Sequence, residues 1–365
     1  MLSSGVPRAE KSSLPPDKPP LLTFRQENPI VSADWDERIS NEPAASVFHS
    51  TAWAKVLSGT YGFTPIYFTA LRGSEPVSAI PVMEVESWLT GRRGVSLPFT
   101  DECEPLDFGD LPRAGLLEEI LRVGRSRKWK YVEFRGGKKL FNDAPPSLIF
   151  LGHKLKLSAD TDSLFNQFGS AVRRAIRKAE KAGLTVEFSQ TLEATRDYYS
   201  LHCKTRQEHG LPPQPFQFFR HIHAHILARG MGVVVSARLR GRTVASALFF
   251  HSRSEAIYKF GASDDAALEL RANNLVMWEA IKWLGCKGIK LLRLGRTSAG
   301  NEGLRRYKLG WGTEEYAINY YKYDLRKNAL VLEKDAAAGW HNKVFHSLPM
   351  FLLRWTGSVL YKHSA

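Results

Sequence analysis

The sequence predicts an α+β protein made of two copies of one unit, each a mixed, mostly antiparallel sheet flanked by helices. Three observations predict it. The chain has 365 residues, more than the ~250–300 at which a single hydrophobic core stops growing. A hairpin block and a helix–strand block each occur twice, in the same order and roughly 160–170 residues apart. Strands and helices do not alternate regularly within either copy, which excludes a doubly wound dinucleotide fold.

The first twenty residues, MLSSGVPRAEKSSLPPDKPP, hold five prolines and no apolar stretch. Residues 1–22 are therefore expected to be a disordered arm and not a secretory signal. The first unit is placed at 23–155. From Ile66, IYFTALRGSEPVSAIPV alternates apolar residues around Leu-Arg-Gly, so Gly73 should turn a β-hairpin. From Gly115, GLLEEILRVGRSRKWKYVEFRGG reads as an amphipathic helix, a basic turn and a buried strand. The second unit, 156–325, repeats both blocks. VVVSARLRGRTVASALFF, from Val233, turns at Gly241, and NLVMWEAIKWLGCKGIKLLRLGR, from Asn274, is again helix then strand. Here strands are expected at 232–238, 243–251 and 255–261, followed by a helix at 272–284. The strand at 289–294 should then lie parallel to the strand before that helix. An aromatic strand follows at 314–323, and helices near 191–209 and 215–228 precede the sheet. Residues 326–365 depart from the repeat. Their Phe345, Leu348, Leu352, Trp355 and Val359 fall on one helical stripe with basic flanks, interrupted by Pro349. This tail should either lie in a membrane interface or pack onto the body.

Lys and Arg number 51 against 37 acidic residues, a formal charge of +14. That excess favours polyanionic partners: nucleic acid, nucleotide-linked substrates or an anionic membrane surface. A composition of 43% apolar and 24% charged residues excludes wholesale disorder. No run reaches the ~18 uncharged apolar residues of a spanning helix, so a soluble protein is expected, and the cysteines fit a reducing cytoplasm. Cys103, Cys203 and Cys286 are odd in number and far apart, which argues against a disulfide framework and a cysteine zinc site. His221-x-His223-x-His225 scatters its rings around a helix and reads as structural. No nucleophile-elbow, zincin, Walker or EF-hand pattern occurs, so neither a metal nor a permanently bound cofactor is expected.

Three segments could carry chemistry. In AVRRAIRKAEKAGLTV, from Ala171, Val172, Ile176 and Ala179 mark a buried helical face, and Gly183 closes the helix. Arg173, Arg177 and Lys181 form one cationic stripe, and Arg174 with Lys178 forms another. Arg173, Arg177 and Lys178 are candidate anion ligands, the alternative being a solvated face. At LRANNLVMW, Asn273 and Asn274 open a helix directly after a core strand, where backbone N–H groups attract phosphate. Either could instead be an N-cap. GRTSAGNEGLRRYKLGWGTEEY, from Gly295, reads as a polar loop lining a site, with Arg296, Arg305, Arg306 and Lys308. A lysine there can stabilise a developing oxyanion, dock an anion, or merely be surface. Asp264–Asp265 reads as an acidic turn.

VFHSTAWAKVLSGTYGF, SLPFTDE, VRRAIRKAEKAGLTV, YKFGASDDAALELRANNLVMWEAIKWLGCKGIKLLRLGR and GLRRYKLGWG resemble, in this order, the FemAB-like proteins of the GNAT acyltransferase superfamily. The branch most similar is the one associated with exopolysaccharide and PEP-CTERM loci. The resemblance covers about residues 45–325 and implies tandem GNAT-like domains. It also implies transfer of an activated acyl or aminoacyl group to an amine on a cell-envelope or exopolysaccharide precursor. The family's aromatic–lysine pair, which handles the donor and stabilises the intermediate, falls on Tyr307 and Lys308, with Tyr where Phe is commoner. The donor stays open between acyl-CoA and aminoacyl-tRNA. The usual GNAT pyrophosphate run is missing at 270–274, and no insertion between 161 and 250 is long enough for the helical arm that contacts tRNA. The expected partners are an anionic or nucleotide-linked sugar substrate, tRNA, and a membrane surface touched by the tail. The competing readings are a non-catalytic basic binding protein and a scaffold in polysaccharide assembly.

Overall fold

A computed structural model of the chain describes residues 21–109, 113–142, 144–333 and 345–364. Most of the expected arm, residues 1–20, and part of the tail, 334–344, lie outside the described residues. The first half holds β1 (Leu22–Glu27), α1 (Trp35–Ile39), α2 (Thr51–Tyr61), β2 (Thr64–Pro65), β3 (Tyr67–Arg72), β4 (Glu75–Ile80), β5 (Met83–Ser87), β6 (Gly91–Ser96), β7 (Leu106–Asp107), α3 (Arg113–Ser126) and β8 (Tyr131–Arg135). The second holds β9 (Leu148–Lys156), α4 (Thr161–Gln167), α5 (Ser170–Lys181), β10 (Thr185–Ser189), α6 (Leu192–Glu208), α7 (Phe216–His225), β11 (Gly232–Leu239), β12 (Arg242–Ser252), β13 (Glu255–Ser263), α8 (Ala272–Cys286), β14 (Leu291–Ser298), α9 (Glu302–Leu309), β15 (Glu314–Asp324), β16 (Ala329–Leu330) and α10 (Met350–Leu360).

The repeat in the sequence is a repeat in the backbone. The hairpins β3–β4 and β11–β12 are antiparallel and turn at Gly73 (φ 66°) and Gly241 (φ 79°). Both turns need a left-handed residue, which glycine adopts without the clash a Cβ would bring. Each copy also has a parallel crossover. β6 pairs with β8 across α3, as β13 pairs with β14 across α8. Apolar periodicity builds both helices. α5 buries Val172, Ile176 and Ala179 on one stripe and leaves its cations outside, with Val172 and Ile176 contributing roughly 1.5–3 kcal/mol each. α8 is apolar nearly all round and is sandwiched in the second core, with Leu275, Trp278, Ile281 and Leu284 buried.

A small sheet runs β1-β3-β4-β7, and a large one runs β10-β11-β12-β13-β14-β9-β15-β8-β6-β5-β2. β9 lies between β14 and β15, antiparallel to both, and β15 then pairs with β8 of the first copy. The large sheet is therefore continuous through both copies, and it brings first-copy loops against the β13–β14 region.

Three expectations are corrected. The glycine-rich segment after Gly295 is not a loop: β14 continues to Ser298 and α9 spans Glu302–Leu309. The Asn301 side chain accepts the Leu304 N–H at 3.1 Å, and Glu302 sits at the positive helix end. This cap and the helix formers between the glycines outweigh the glycine count. Neither Asn273 nor Asn274 is an N-cap, because α8 starts at Ala272 and its cap residue is Arg271, at φ 58° with no side-chain cap bond. In the tail, Pro349 cannot continue a helix and instead starts one, so Phe345 and Leu348 precede α10. His221 bonds Thr60 and Gln217 at 2.9 and 3.0 Å, a structural role. Asp264 caps the 3₁₀ turn after it and pairs with Arg242. Among the described residues no group of three or more His, Cys, Asp or Glu is placed to hold a metal ion.

Candidate active site

β13 and β14 are paired at only three positions, Glu255↔Leu291, Ala256↔Leu292 and Ile257↔Arg293. β13 then runs on to Ser263 and β14 to Ser298 without bonding to each other, so the sheet opens between them. The opening is set in β14 itself. Gly295 takes φ 69°, and the register against β9 shifts between Arg293 and Arg296. Carbonyls that would join a ladder are thereby turned out of it.

Lys308 meets them. It is 3% exposed, and its Nζ donates to the Gly295 carbonyl at 2.9 Å and the Arg296 carbonyl at 3.0 Å. An ammonium has three N–H donors, so one remains for a ligand. Burial pushes its pKa down to about 8, partly opposed by Asp101. Desolvation disfavours the charged form of a lysine. The neighbouring Tyr307, pushed up to about 12 by burial, lines the spaces on one side of this opening.

On that side a cavity of about 600 Å³ lies between α5, α8 and α9. Arg174, Lys178, Arg271, Arg306, Asn274 and Tyr307 line it, and none of its lining residues is acidic. A second space of about 410 Å³ adjoins it and shares Arg271, Asn274 and Tyr307, adding Asn273, Tyr258 and Gly261 from the open edge of β13. Ala272 and Asn273, which open the 15-residue α8 without a side-chain cap, line the second space. Four cations beside an uncapped helix N-terminus form a site for a phosphate-bearing ligand. Arg271 holds a left-handed backbone conformation, the kind of strain that concentrates at ligand sites.

On the opposite side, a cavity of about 100 Å³ lies at the junction of the two copies. Asp101, Glu102 and Glu104 enter it from the first copy, and Glu255, Arg293 and Tyr316 from the second. Arg293 donates to Glu255 at 2.9 and 3.2 Å and to Glu102 at 3.2 Å. Tyr316 donates to Glu102 at 2.9 Å. Burial would raise the Asp101 carboxyl, but Lys259, Arg296 and Lys308 hold it below the usual range. For Glu104 the nearby Arg293 and Lys139 charges do not outweigh burial, and the Glu102 carboxylate works against them. Burial pushes the Glu104 carboxyl up to about 7, opposed in part by the Gly137 N–H that it accepts at 2.7 Å. His49 lines the same space. Burial lowers it to about 4, so it is neutral, and its Nδ1 accepts the Ser46 N–H at 3.1 Å. Its Nε2 therefore donates to the Glu104 carbonyl at 2.9 Å.

Of the sequence-derived candidates, Lys178, Asn274 and Tyr307 come together in the cationic cavity, and Asn273 lines the adjoining space. Arg173 and Arg177 do not line either space. They lie on the other stripe of α5, where the Arg177 guanidinium stacks over Phe165 at 5.4 Å. Arg296 stacks on Phe150 at 4.3 Å and donates to the Tyr320 hydroxyl at 3.0 Å, on the Asp101 side of the sheet. Arg305 is held by Glu315 through two bonds of 2.8 and 2.9 Å. Sequence reasoning placed Arg174 in the basic cluster and Arg306 among the cations of the later segment without singling out either as a ligand, and it passed over Arg271. The signal for Arg174 was its spacing of four from Lys178 along a helix. It also passed over the junction cavity, three of whose carboxylates sit in TDECE, after the SLPF turn.

Residues 167–317, from the end of α4 into β15, match the family described as the acetyltransferase (GNAT) domain. No curated protein matches the chain. Among solved structures, that of FemX aligns with a TM-score of 0.65 at 14% identity, covering 80% of this chain and 96% of that one. A tandem GNAT protein from the clavulanic acid biosynthesis pathway aligns with a TM-score of 0.54 at 12% identity, covering 86% and 100%. The C-terminal domain of a candidate lysylphosphatidylglycerol synthetase from Agrobacterium fabrum aligns at 0.53 and 14% identity, covering 84% and 94%. These likenesses are of fold. The architecture is the tandem GNAT-like one that the repeat predicted.

Proposed function

We propose that the chain is an N-acyltransferase with one working centre, at the β13–β14 opening. The carrier of the activated acyl group lies on the cationic side, and the acceptor amine enters from the acidic junction cavity. The observation that carries this reading is Lys308, a buried ammonium anchored to both carbonyls of the β14 irregularity, with an anion-binding cavity on one side and carboxylates on the other. The match to an acetyltransferase domain over 167–317 supports it.

In the proposed reaction, the neutral amine nitrogen attacks the acyl carbonyl and a C–N bond forms. The carbonyl electrons move to oxygen, where the Lys308 ammonium stabilises the charge. A preorganised donor in a dry site is the strongest form of such help. The oxyanion then re-forms the carbonyl, the C–S or C–O bond to the carrier breaks, and the carrier leaves and takes a proton from solvent. The proton lost by the amine goes to a carboxylate of the junction cavity. Glu104, at about 7, is suited to take it near neutral pH. Arg174, Lys178, Arg271 and Arg306 replace the glycine-rich pyrophosphate loop absent at the start of α8. Tyr307 and Asn274 would contact the carrier where the two donor-side spaces meet.

The substrate class is an amine on a cell-envelope or exopolysaccharide precursor. A fold shared with FemX and with a candidate lysylphosphatidylglycerol synthetase, named for an aminoacylated lipid, supports that choice. The test is thermal-shift and native-mass binding of acetyl-CoA, longer acyl-CoAs and charged or uncharged tRNA. Saturable stabilisation by one donor class, about 2.7 kcal/mol at a hundredfold excess over Kd, should be lost in Arg174→Ala/Lys178→Ala. If only generic polyanions stabilise the protein, and steeply less so with salt, the transferase reading fails and a basic binding protein takes its place.

A further inference from the structure

We propose that α10 and the β5–β6 hairpin tip together form a docking surface for an anionic lipid bilayer. α10 is apolar on two faces, which a helix on a water-facing surface does not need. The inner face already has its partner. Leu353 is buried, Gly357 lies so close to Pro213 that an added Cβ would meet its carbonyl oxygen at 2.0 Å, and Arg206 donates to the Tyr361 hydroxyl at 2.8 Å. The outer face presents Phe351, Trp355 and Val359 at spacings of four, with Leu352 beside them. Phe351 is 69% and Trp355 66% exposed.

The helix does not end in open solvent. His363, 6% exposed, sits against the hairpin tip, its ring 5.5 Å from the Trp88 ring and its Nδ1 2.9 Å from the Ser87 hydroxyl. Its carbonyl accepts from Arg93 at 2.8 Å and Thr90 at 3.3 Å. This clamp sets a second exposed apolar element beside the first, for Trp88 is 82% and Leu89 59% exposed. Two tryptophans, a phenylalanine and branched aliphatics, held by two separate chain segments, form a patch of the kind that marks an interaction site.

Charge selects the occupant. No Asp or Glu occurs from Phe345 to Ser364, nor from Ser87 to Arg93. Lys362 is exposed at the helix end, Lys130 reaches the Thr90 carbonyl at 2.6 Å, and Arg92 flanks the hairpin, paired with Glu86 at 2.7 Å. Aromatic and aliphatic side chains rimmed by lysine and arginine suit the headgroup layer of an anionic membrane. With 11 residues α10 is too short to cross a bilayer, and no helix among the described residues is long and apolar enough to do so. It would therefore lie in the plane of the interface. This inference concerns binding alone and stands or falls apart from the transfer chemistry.

The test is flotation of the full chain with vesicles of phosphatidylglycerol and phosphatidylethanolamine, against phosphatidylcholine vesicles, at several salt concentrations. The wild type should float with the anionic vesicles and less so as salt rises. Trp355→Glu and Leu89→Glu should each weaken partition by at least about tenfold, with melting temperatures unchanged because both side chains are exposed. Brominated lipid should quench part of the wild-type tryptophan fluorescence, a readout that needs no variant. Wild-type protein that stays unfloated and unquenched, or variants that partition as it does, would overturn the proposal. So would concentration-dependent dimers abolished by Trp355→Glu with no vesicle binding, which would assign the patch to a second copy of the chain.

Discussion

Replacing Lys308 by Met should change how stability depends on pH in one alkaline window. Lys308 is buried, and its pKa falls from the ordinary 10.5 to about 8 because burial penalises the ammonium. The unfolded chain thus holds this proton up to about pH 10.5, whereas the folded chain releases it near 8. Between those values the unfolded state binds more protons, so the wild type should gain stability as pH rises. At about 1.4 kcal/mol for each factor of ten in proton affinity, the full gain is roughly 3 kcal/mol. Lys308→Met also leaves the Gly295 and Arg296 carbonyls without their donor, a loss of about 1–3 kcal/mol. That loss is constant with pH and does not mimic the slope. The assay is urea unfolding of both proteins from pH 7 to 10.5, with the difference in unfolding free energy plotted against pH. Other lysines and tyrosines titrate in both proteins and cancel. A difference that stays flat from pH 8 to 10.5 would refute a buried, charge-strained Lys308, and with it the pre-placed ammonium on which the proposed mechanism depends.

Acid pH should expose two opposed groups at the junction cavity. His49, lowered to about 4 by burial, gives stability that rises between pH 4 and 6.5, while Glu104, raised to about 7, gives stability that falls between 4.5 and 7. Glu104→Gln should leave the rise uncovered and His49→Gln the fall, measured by urea unfolding over that range; parallel curves would count against both. Gly357→Val should force α10 off Pro213, because the new Cβ would meet a backbone oxygen at 2.0 Å, and limited proteolysis should then cut between residues 345 and 364 far faster than in wild type. Arg305→Ala should cost less than about 1 kcal/mol, since its pairing with Glu315 is partly solvent-exposed, and should leave donor binding unchanged. A large loss of donor binding would return Arg305 to the site.

The architecture was legible because its signals are local. Leu-Arg-Gly at both hairpins, the apolar stripe of α5 and the apolar run of α8 depend on neighbours within a turn or two. The order of the large sheet is not local. Nothing in LIFLGHKLK says that β9 will sit between β14 and β15, since each of its pairings joins residues far apart in sequence. The same limit applied to the site. Lys178, Asn274 and Tyr307 were found from charge spacing, helix position and resemblance, but Arg271 joins them only because a left-handed residue precedes α8. Composition also misled: glycine density made α9 read as a loop, although its cap and helix formers decide the local structure. Arg305 and Arg296 looked like free cations because the sequence does not show Glu315 or Tyr320 across the sheet.

The two copies share one crossover yet differ where it matters for chemistry. Beyond the parallel positions of β13 and β14 the second copy is open, with Lys308 at its base. In the first copy the chain leaves β6 at Ser96, passes through left-handed Leu97 and Phe99, and folds back across the end of β8. Cys103 donates its N–H to the Arg135 carbonyl at 2.6 Å, and the Glu104 carboxylate accepts the Gly137 N–H at 2.7 Å. The opening that corresponds to the β13–β14 one is thus filled by the first copy's own backbone. Gly136 shows how tightly, for a Cβ there would lie 2.6 Å from the Glu104 carboxylate. The loop that fills it is also the loop that carries Asp101, Glu102 and Glu104 to the junction. One turn of the backbone therefore closes the first copy's opening and carries Asp101, Glu102 and Glu104 to the junction beside the opening of the second, and on the proposed mechanism this is what leaves one centre with unlike sides.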